Sequence, residues 1–146
     1  MPAPNALGSI LMIEDDPADV LLTRKAMERS RIRIDLHVAE DAEAGLEFLR
    51  SPEKRNGAAV PDIILLDLNL PRMSGQEFLT ELRADPALKA IPLVVLTTSE
   101  VEADIVKLYE LGANCYVSKP VGLEEFYEII EKLEDFWFSV VRLPKP

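Results

Sequence analysis

Five short apolar runs, each followed by a stretch of helical periodicity, organise this chain. Ser9–Ile13 is continuously apolar apart from its first residue, the pattern of a strand covered on both faces. Glu14, Asp15 and Asp16 follow it, and Asp16 before Pro17 has the form of an N-cap with proline at the first helical position. The helix so opened carries Val20, Leu21 and Met27 among charged residues. Ile34–Ala39 predicts a second strand, and Asp41 opens a helix with Leu46, Phe48 and Leu49 facing inward, ending near Ser51-Pro52. Residues 52–61 hold Asn56, Gly57 and a proline at each end, and predict an exposed connector. A third buried strand lies between Asp62 and Asp67. The turn Leu70–Gly75 then leads into a helix with Phe78, Leu79 and Leu82. Pro92–Leu96 predicts a fourth strand, ending at Thr97-Thr98-Ser99, and Ser99 with Glu102 predicts a capping box for a helix containing Ile105 and Leu108. Gly112 stops that helix, Cys115–Ser118 is a fifth strand, and after Lys119-Pro120 a last helix runs from about Leu123 through Leu133. Strand and helix alternate five times, which argues for an α/β fold with a parallel sheet covered on both faces.

Composition narrows the classes. A chain of 146 residues with 48% hydrophobic residues suits one domain with its own core. Sixteen basic against 26 acidic residues give a net charge of −10, the wrong sign for tracking phosphates, and no basic stripe suggests nucleic-acid binding. No apolar run approaches the ~18–20 residues of a membrane span, and the first residues lack the basic and apolar regions of an export signal. The single cysteine, Cys115, cannot form an internal disulfide, which fits a cytoplasmic location. The expected layout is a flexible tail over residues 1–7, one domain over 8–135 and an aromatic extension over 136–146, with no room for an attached output domain.

The polar residues gather at strand ends. Strand one ends in Glu14-Asp15, strand three in Asp67, strand four in Thr97 and strand five in Lys119. In open α/β sheets the carboxyl edge is where ligands bind. Three carboxylates converging there repel one another unless a cation joins them, and hard oxygen donors suit Mg²⁺, which also favours a phosphate oxygen as ligand. Asp67 could then attack phosphorus, with Lys119 and the Thr97 hydroxyl contacting the phosphoryl oxygens. The residues read as a phosphoryl-acceptor site.

The strings ILMIEDDPAD, DIILLDLNLPRMSG, VVLTTS and GANCYVSKP resemble, in order and spacing, the receiver domain of two-component response regulators, over roughly residues 8 to 134. That resemblance implies a flavodoxin-like doubly wound five-stranded sheet in order 2-1-3-4-5 with five helices. It implies Asp67 as phosphoacceptor, Glu14 and Asp15 as the acid pair, and Mg²⁺ held by Glu14, Asp15, Asp67 and the backbone carbonyl of Asn69. It also implies Thr97 and Tyr116 as the switch pair, Lys119 as the essential lysine, and a cis Lys119–Pro120 peptide. A histidine kinase would be the phosphoryl donor, and the face formed by helix four, strand five and helix five would signal by changing partner affinity. A phosphorelay intermediate or phosphate sink is the alternative role. Glu14 departs from the commoner Asp, and Thr98 stands where many receivers carry Ala or Gly. Its bulk predicts slower attack by water and small phosphodonors.

Asp67-Leu-Asn69 also resembles the start of the haloacid-dehalogenase phosphatase motif, but Asn69 replaces the second Asp that such enzymes need, so a dedicated hydrolase is not expected. No glycine pattern suggests a nucleotide loop, and His37 and Cys115 read as packed strand residues. Phe126, Ile129, Ile130, Leu133, Trp137, Val140 and Val141 continue one helical stripe, with Phe136 and Phe138 beside it. Either the last helix is simply longer and covers its own sheet, or Phe136, Trp137 and Phe138 form an association surface, most simply between two copies of the chain, and the second is expected. The ending LEDFWFSVVRLPKP, with the long connector before strand three, resembles small stand-alone regulators paired with phytochrome-type, light-sensing histidine kinases.

Overall fold

Capping side chains set most of the helix starts. In the computed structural model, which describes residues 8–30, 32–98 and 101–144, Asp16 caps α1 (Pro17–Arg29) by accepting from the Ala18 amide. Asp41 caps α2 (Ala42–Arg50) through the Ala44 amide. Ser74 and Glu77 form a capping box at α3 (Gly75–Ala84), a device hidden in the turn of the sequence pattern. Further along, α4 (Glu102–Leu111) starts after Val101 with no side-chain cap, and Ser99, the expected cap, lies outside the described residues, as does the predicted tail over 1–7. Gly112 ends α4 with φ 107°, a left-handed conformation that residues with a Cβ rarely adopt. The last helix is α5 (Leu123–Asp135).

The strands β1 (Gly8–Ile13), β2 (Ile34–Ala39), β3 (Ile63–Leu66), β4 (Leu93–Thr97) and β5 (Cys115–Ser118) form one parallel sheet in the order β2-β1-β3-β4-β5. Alternate residues feed opposite layers, as the pleat requires. Leu11, Ile13, Ile64, Leu66, Leu93 and Val95 join Leu46, Leu49, Phe78, Leu79, Leu82 and Leu108 in one layer. On the other face Ile10, Met12, Ile63, Leu65 and Val94 form a second cluster, and Leu96 packs with Ala26, Phe126 and Ile130 of α1 and α5. On α1 the side chains turned fully inward are Thr23 and Ala26, while Leu21 is exposed. No helix among the described residues is long and apolar enough to cross a membrane.

Past α5 the chain makes a π-helical turn, Phe136–Val140, closed by the Val141 amide donating to the Phe136 carbonyl at 3.0 Å. This i→i+5 turn shifts the helical phase, so the apolar stripe does not continue to Val140, which is exposed. Instead Trp137, Phe138 and Leu143 pack on the chain's own sheet beside Ile10 and Met12. Gly8 makes room for this: a Cβ there would collide with Phe138 Cε1. Of the three aromatics expected to form an association surface, only Phe136 is left exposed.

Candidate active site at the carboxyl edge of the sheet

Backbone hydrogen bonds carry the ladders past the strand ends and fix the site residues in register. The Glu14 amide donates to the Ala39 carbonyl at 3.0 Å, Asp67 to Ile13 at 3.1 Å and Lys119 to Thr97 at 2.8 Å. One carboxylate oxygen each from Glu14, Asp15 and Asp67 consequently lies within 4.8 Å of the others, Glu14 and Asp67 buried and Asp15 exposed. Such an arrangement of oxygen donors fits a divalent cation.

The Lys119 ammonium enters this cluster from the end of β5. It forms a short charge-assisted hydrogen bond to Glu14 Oε1, donates to Asp19 Oδ2 at 2.7 Å, and stands 3.7 Å from Asp67 Oδ2. Asp67 Oδ1 is buried and has no hydrogen-bond partner among the described residues. A buried carboxylate oxygen without a donor is costly to maintain, and it marks a position that a cation or a phosphoryl group would satisfy.

Burial, reinforced by the charge of Asp67, raises the Glu14 carboxyl to about 7 even though Lys119 opposes the rise. Burial alone would lower Lys119, but its hydrogen bonds to Asp19 and Glu14 and the charge of Asp67 prevail and hold it above its ordinary value. The ammonium thus stays charged in a largely dry site.

Thr97 is fully buried at the end of β4. Tyr116 is half-buried against the layer that contains α2, α3 and α4, and its amide donates to Tyr109 Oη at 3.1 Å. Thr98 is exposed, and its hydroxyl accepts from Asn69 Nδ2 at 3.5 Å across the mouth of the site. The Lys119–Pro120 peptide is trans, contrary to the expectation of cis. Trans is the ordinary preference of an X–Pro bond, and in this form it already delivers the ammonium to the carboxylates. His37 rests against Phe48, ring centroids 5.1 Å apart, and Cys115 is a half-buried free thiol. Asp19 is the site residue that the strand-end pattern misses. The available signal was its position in the first turn of α1, a helix that begins at the same sheet edge.

A five-stranded parallel sheet in this order, with an acid cluster and a lysine at its carboxyl edge, defines a receiver domain, and the chain belongs to the response regulator receiver domain family, whose model matches residues 10–131. It is a two-component response regulator. It is 40% identical over 135 residues to the response regulator Rcp1 of Synechocystis sp., covering 92% of each chain. Among solved structures it resembles the phosphorylated cyanobacterial phytochrome response regulator RcpA (40% identity, TM-score 0.88, 94% of this chain and 99% of that one). It also resembles the Mn²⁺-bound form of Rcp1 (40% identity, TM-score 0.86, 94% and 99%).

Proposed function

We propose that Asp67 accepts a phosphoryl group from a phosphohistidine of a sensor kinase. An Asp67 carboxylate oxygen attacks phosphorus, the phosphorus–nitrogen bond breaks, and the imidazole leaves with the electron pair. The observation that carries this reading is the buried Asp67 carboxylate, whose Oδ1 has no partner among the described residues and whose Oδ2 stands 3.7 Å from the Lys119 ammonium. Mg²⁺, held by Glu14, Asp15, Asp67 and the Asn69 backbone carbonyl, would neutralise charge on the transferring phosphoryl oxygens. Lys119 and the Thr97 hydroxyl contact the same oxygens once the group is on Asp67.

The bound phosphoryl adds roughly −1.5 to −2 charge. Thr97 and Lys119 move toward it and Tyr116 turns inward, changing the face of α4, β5 and α5, where Val101, Val106, Tyr109 and Leu123 are exposed. Water later removes the phosphate slowly, as turnover of a switch and not as a dedicated hydrolysis. The likeness to RcpA supports a phytochrome-type kinase as donor, and the single cysteine suits a cytoplasmic setting for the exchange. The proposal extends to pairing of two copies through the last helix and the π-helical turn after it, where Phe136 and Val140 are exposed. Sedimentation of the chain with and without residues 136–146 checks this, and two monomers refute it.

Radiolabelled kinase phosphate should pass to the wild type and not to Asp67→Asn; undiminished labelling of the variant would end the phosphoacceptor account.

A further inference from the structure

Asp19 lies outside the cation cluster, yet it holds the ammonium on which the proposed chemistry depends. Its Oδ2 is 2.7 Å from Lys119 Nζ, a full hydrogen bond, whereas Oδ2 of the phosphoacceptor Asp67 is 3.7 Å away. The Asp19 backbone is itself pinned, because its carbonyl accepts the Thr23 hydroxyl at 2.9 Å, and Thr23 is fully buried. The Lys119 side chain is 7% exposed, so water offers little in exchange if the ammonium leaves a carboxylate. The Asp19 side chain is 23% exposed, so solvent can receive Asp19 when the ammonium swings away. Lys119 keeps its hydrogen bond to Glu14 in either case, so Asp19 competes with the Asp67 phosphoryl for the remaining donors of the ammonium, and solvent can receive Asp19 if it loses.

We propose that Asp19 is a positioning residue that withholds the Lys119 ammonium from the phosphoryl group on Asp67 and so lengthens the life of the aspartyl phosphate. The inference rests on Asp67 as phosphoacceptor. In hydrolysis, water oxygen attacks phosphorus and the bond from phosphorus to the Asp67 oxygen breaks. The carboxylate is regenerated and inorganic phosphate departs with the proton balance taken up by solvent. Negative charge on the phosphoryl oxygens is best stabilised by an ammonium fully committed to them. An ammonium shared with Asp19 is not. Removing the Asp19 charge frees a donor of the ammonium, still anchored by Glu14, for the phosphoryl oxygens and accelerates the step.

The alternative is that Asp19 merely complements the positive end of α1. That role changes stability and leaves the phosphate lifetime alone. The two separate in the first-order loss of label from purified phosphoprotein at saturating Mg²⁺, a rate that contains no donor-binding step. Asp19→Asn should lose phosphate about tenfold faster than wild type, the scale expected for one charge-assisted hydrogen bond partly replaced by the amide. Asp19→Glu, which restores the charge, should return the rate toward wild type. The acceleration should persist at high salt, where a long-range charge effect is screened.

Equal rates for wild type and Asp19→Asn overturn the proposal, whatever happens to stability. Slower loss also overturns it, since Asp19 would then present the ammonium instead of withholding it. Failure of the wild type to take up any label from kinase sinks the reading of Asp67 and this inference with it. Labelling of the wild type but not of Asp67→Asn, with unchanged loss in Asp19→Asn, sinks this inference alone.

Discussion

Among the described residues two glutamates are buried, and they differ in almost everything except their titration. Glu14, at the carboxyl edge, and Glu134, under the π-helical turn, are 2% and 1% exposed, and both carboxyls are raised to about 7 chiefly by burial. Glu14 sits among Lys119, Asp15 and Asp67. Glu134 lies against an apolar void of about 10 Å³ lined by Ile10, Leu65, Ile130 and Trp137. Ser30 offsets part of the rise at Glu134, but no hydrogen bond of good geometry reaches either carboxyl oxygen, and Trp137 Nε1 is likewise without a partner among the described residues. A raised carboxyl therefore does not mark function by itself. What separates the two is the company. An ammonium beside Glu14 favours its charged form and the site is open to a cation, whereas at Glu134 burial and the charge of Glu131 favour the proton with only Ser30 opposing.

The largest effect should come from removing the ammonium. Lys119→Met leaves Glu14 and Asp67 buried without their counter-charge and should cost about 3 kcal/mol at pH 8 without divalent cation, read by urea denaturation. Mg²⁺ should restore part of that loss, because a cation bound only to the folded state stabilises it. At pH 6 the loss should be smaller, since Glu14 can then take a proton. A loss independent of pH and Mg²⁺ would dissolve the distinction between the two glutamates.

The second effect has the opposite sign. Between pH 4.5 and about 7 the folded chain keeps the Glu134 proton that the unfolded chain has released, so stability falls as pH rises through that window and remains lower above it. The span corresponds to about 3 kcal/mol. Glu134→Leu should therefore be the more stable protein at pH 8, by about 2 kcal/mol after repacking, with the advantage vanishing near pH 4.5. Destabilisation at pH 8 would mean that the carboxylate has a partner in solution. Glu14 contributes to the same window in metal-free protein, and Mg²⁺ should abolish that share and leave Glu134's untouched.

Gly8→Ala should act on the same end of the molecule more weakly. The new methyl meets Phe138 and must push the tail off β1, at about 1–2 kcal/mol. Exposure of Trp137, seen as a red shift in fluorescence, should accompany it. An unshifted spectrum would show that the tail is not seated on its own sheet.

The sheet order and the site were legible because they depend on pattern and place. Apolar runs located β1 to β5, and whatever followed each run had to land at one edge; Glu14, Asp15, Asp67, Thr97 and Lys119 all do. The side-chain pairing there was not legible, because whether Lys119 prefers Asp19 or Asp67 depends on distances of about an ångström. Glu134 was half visible. Phe126, Ile130 and Glu134 recur every four residues and are the buried residues of α5, so an acid stood on the apolar stripe in plain sight. The turn after it could not be read, since a π-helical phase shift has no residue signature comparable to proline or glycine. That shift moved Trp137 and Phe138 from an expected association surface onto the chain's own core.

The smallest effect concerns how the two glutamates meet solvent. The Glu134 region is closed by the tail, whereas the Glu14 and Asp67 region opens past Thr98, whose hydroxyl accepts from Asn69 at 3.5 Å. Thr98 is exposed and adjoins the buried Thr97, so it can hinder approach to Asp67 without supporting the core. Thr98→Ala removes the hydroxyl, the methyl and the contact to Asn69 together. Water attacking phosphorus gains room, and phosphate loss should quicken about threefold, a barrier change below 1 kcal/mol. Stability should hardly move, because an exposed hydroxyl at 3.5 Å contributes little. Equal rates of phosphate loss in wild type and Thr98→Ala would show that the mouth of the site does not limit water, and would leave the position of the Lys119 ammonium as the control on phosphoryl lifetime.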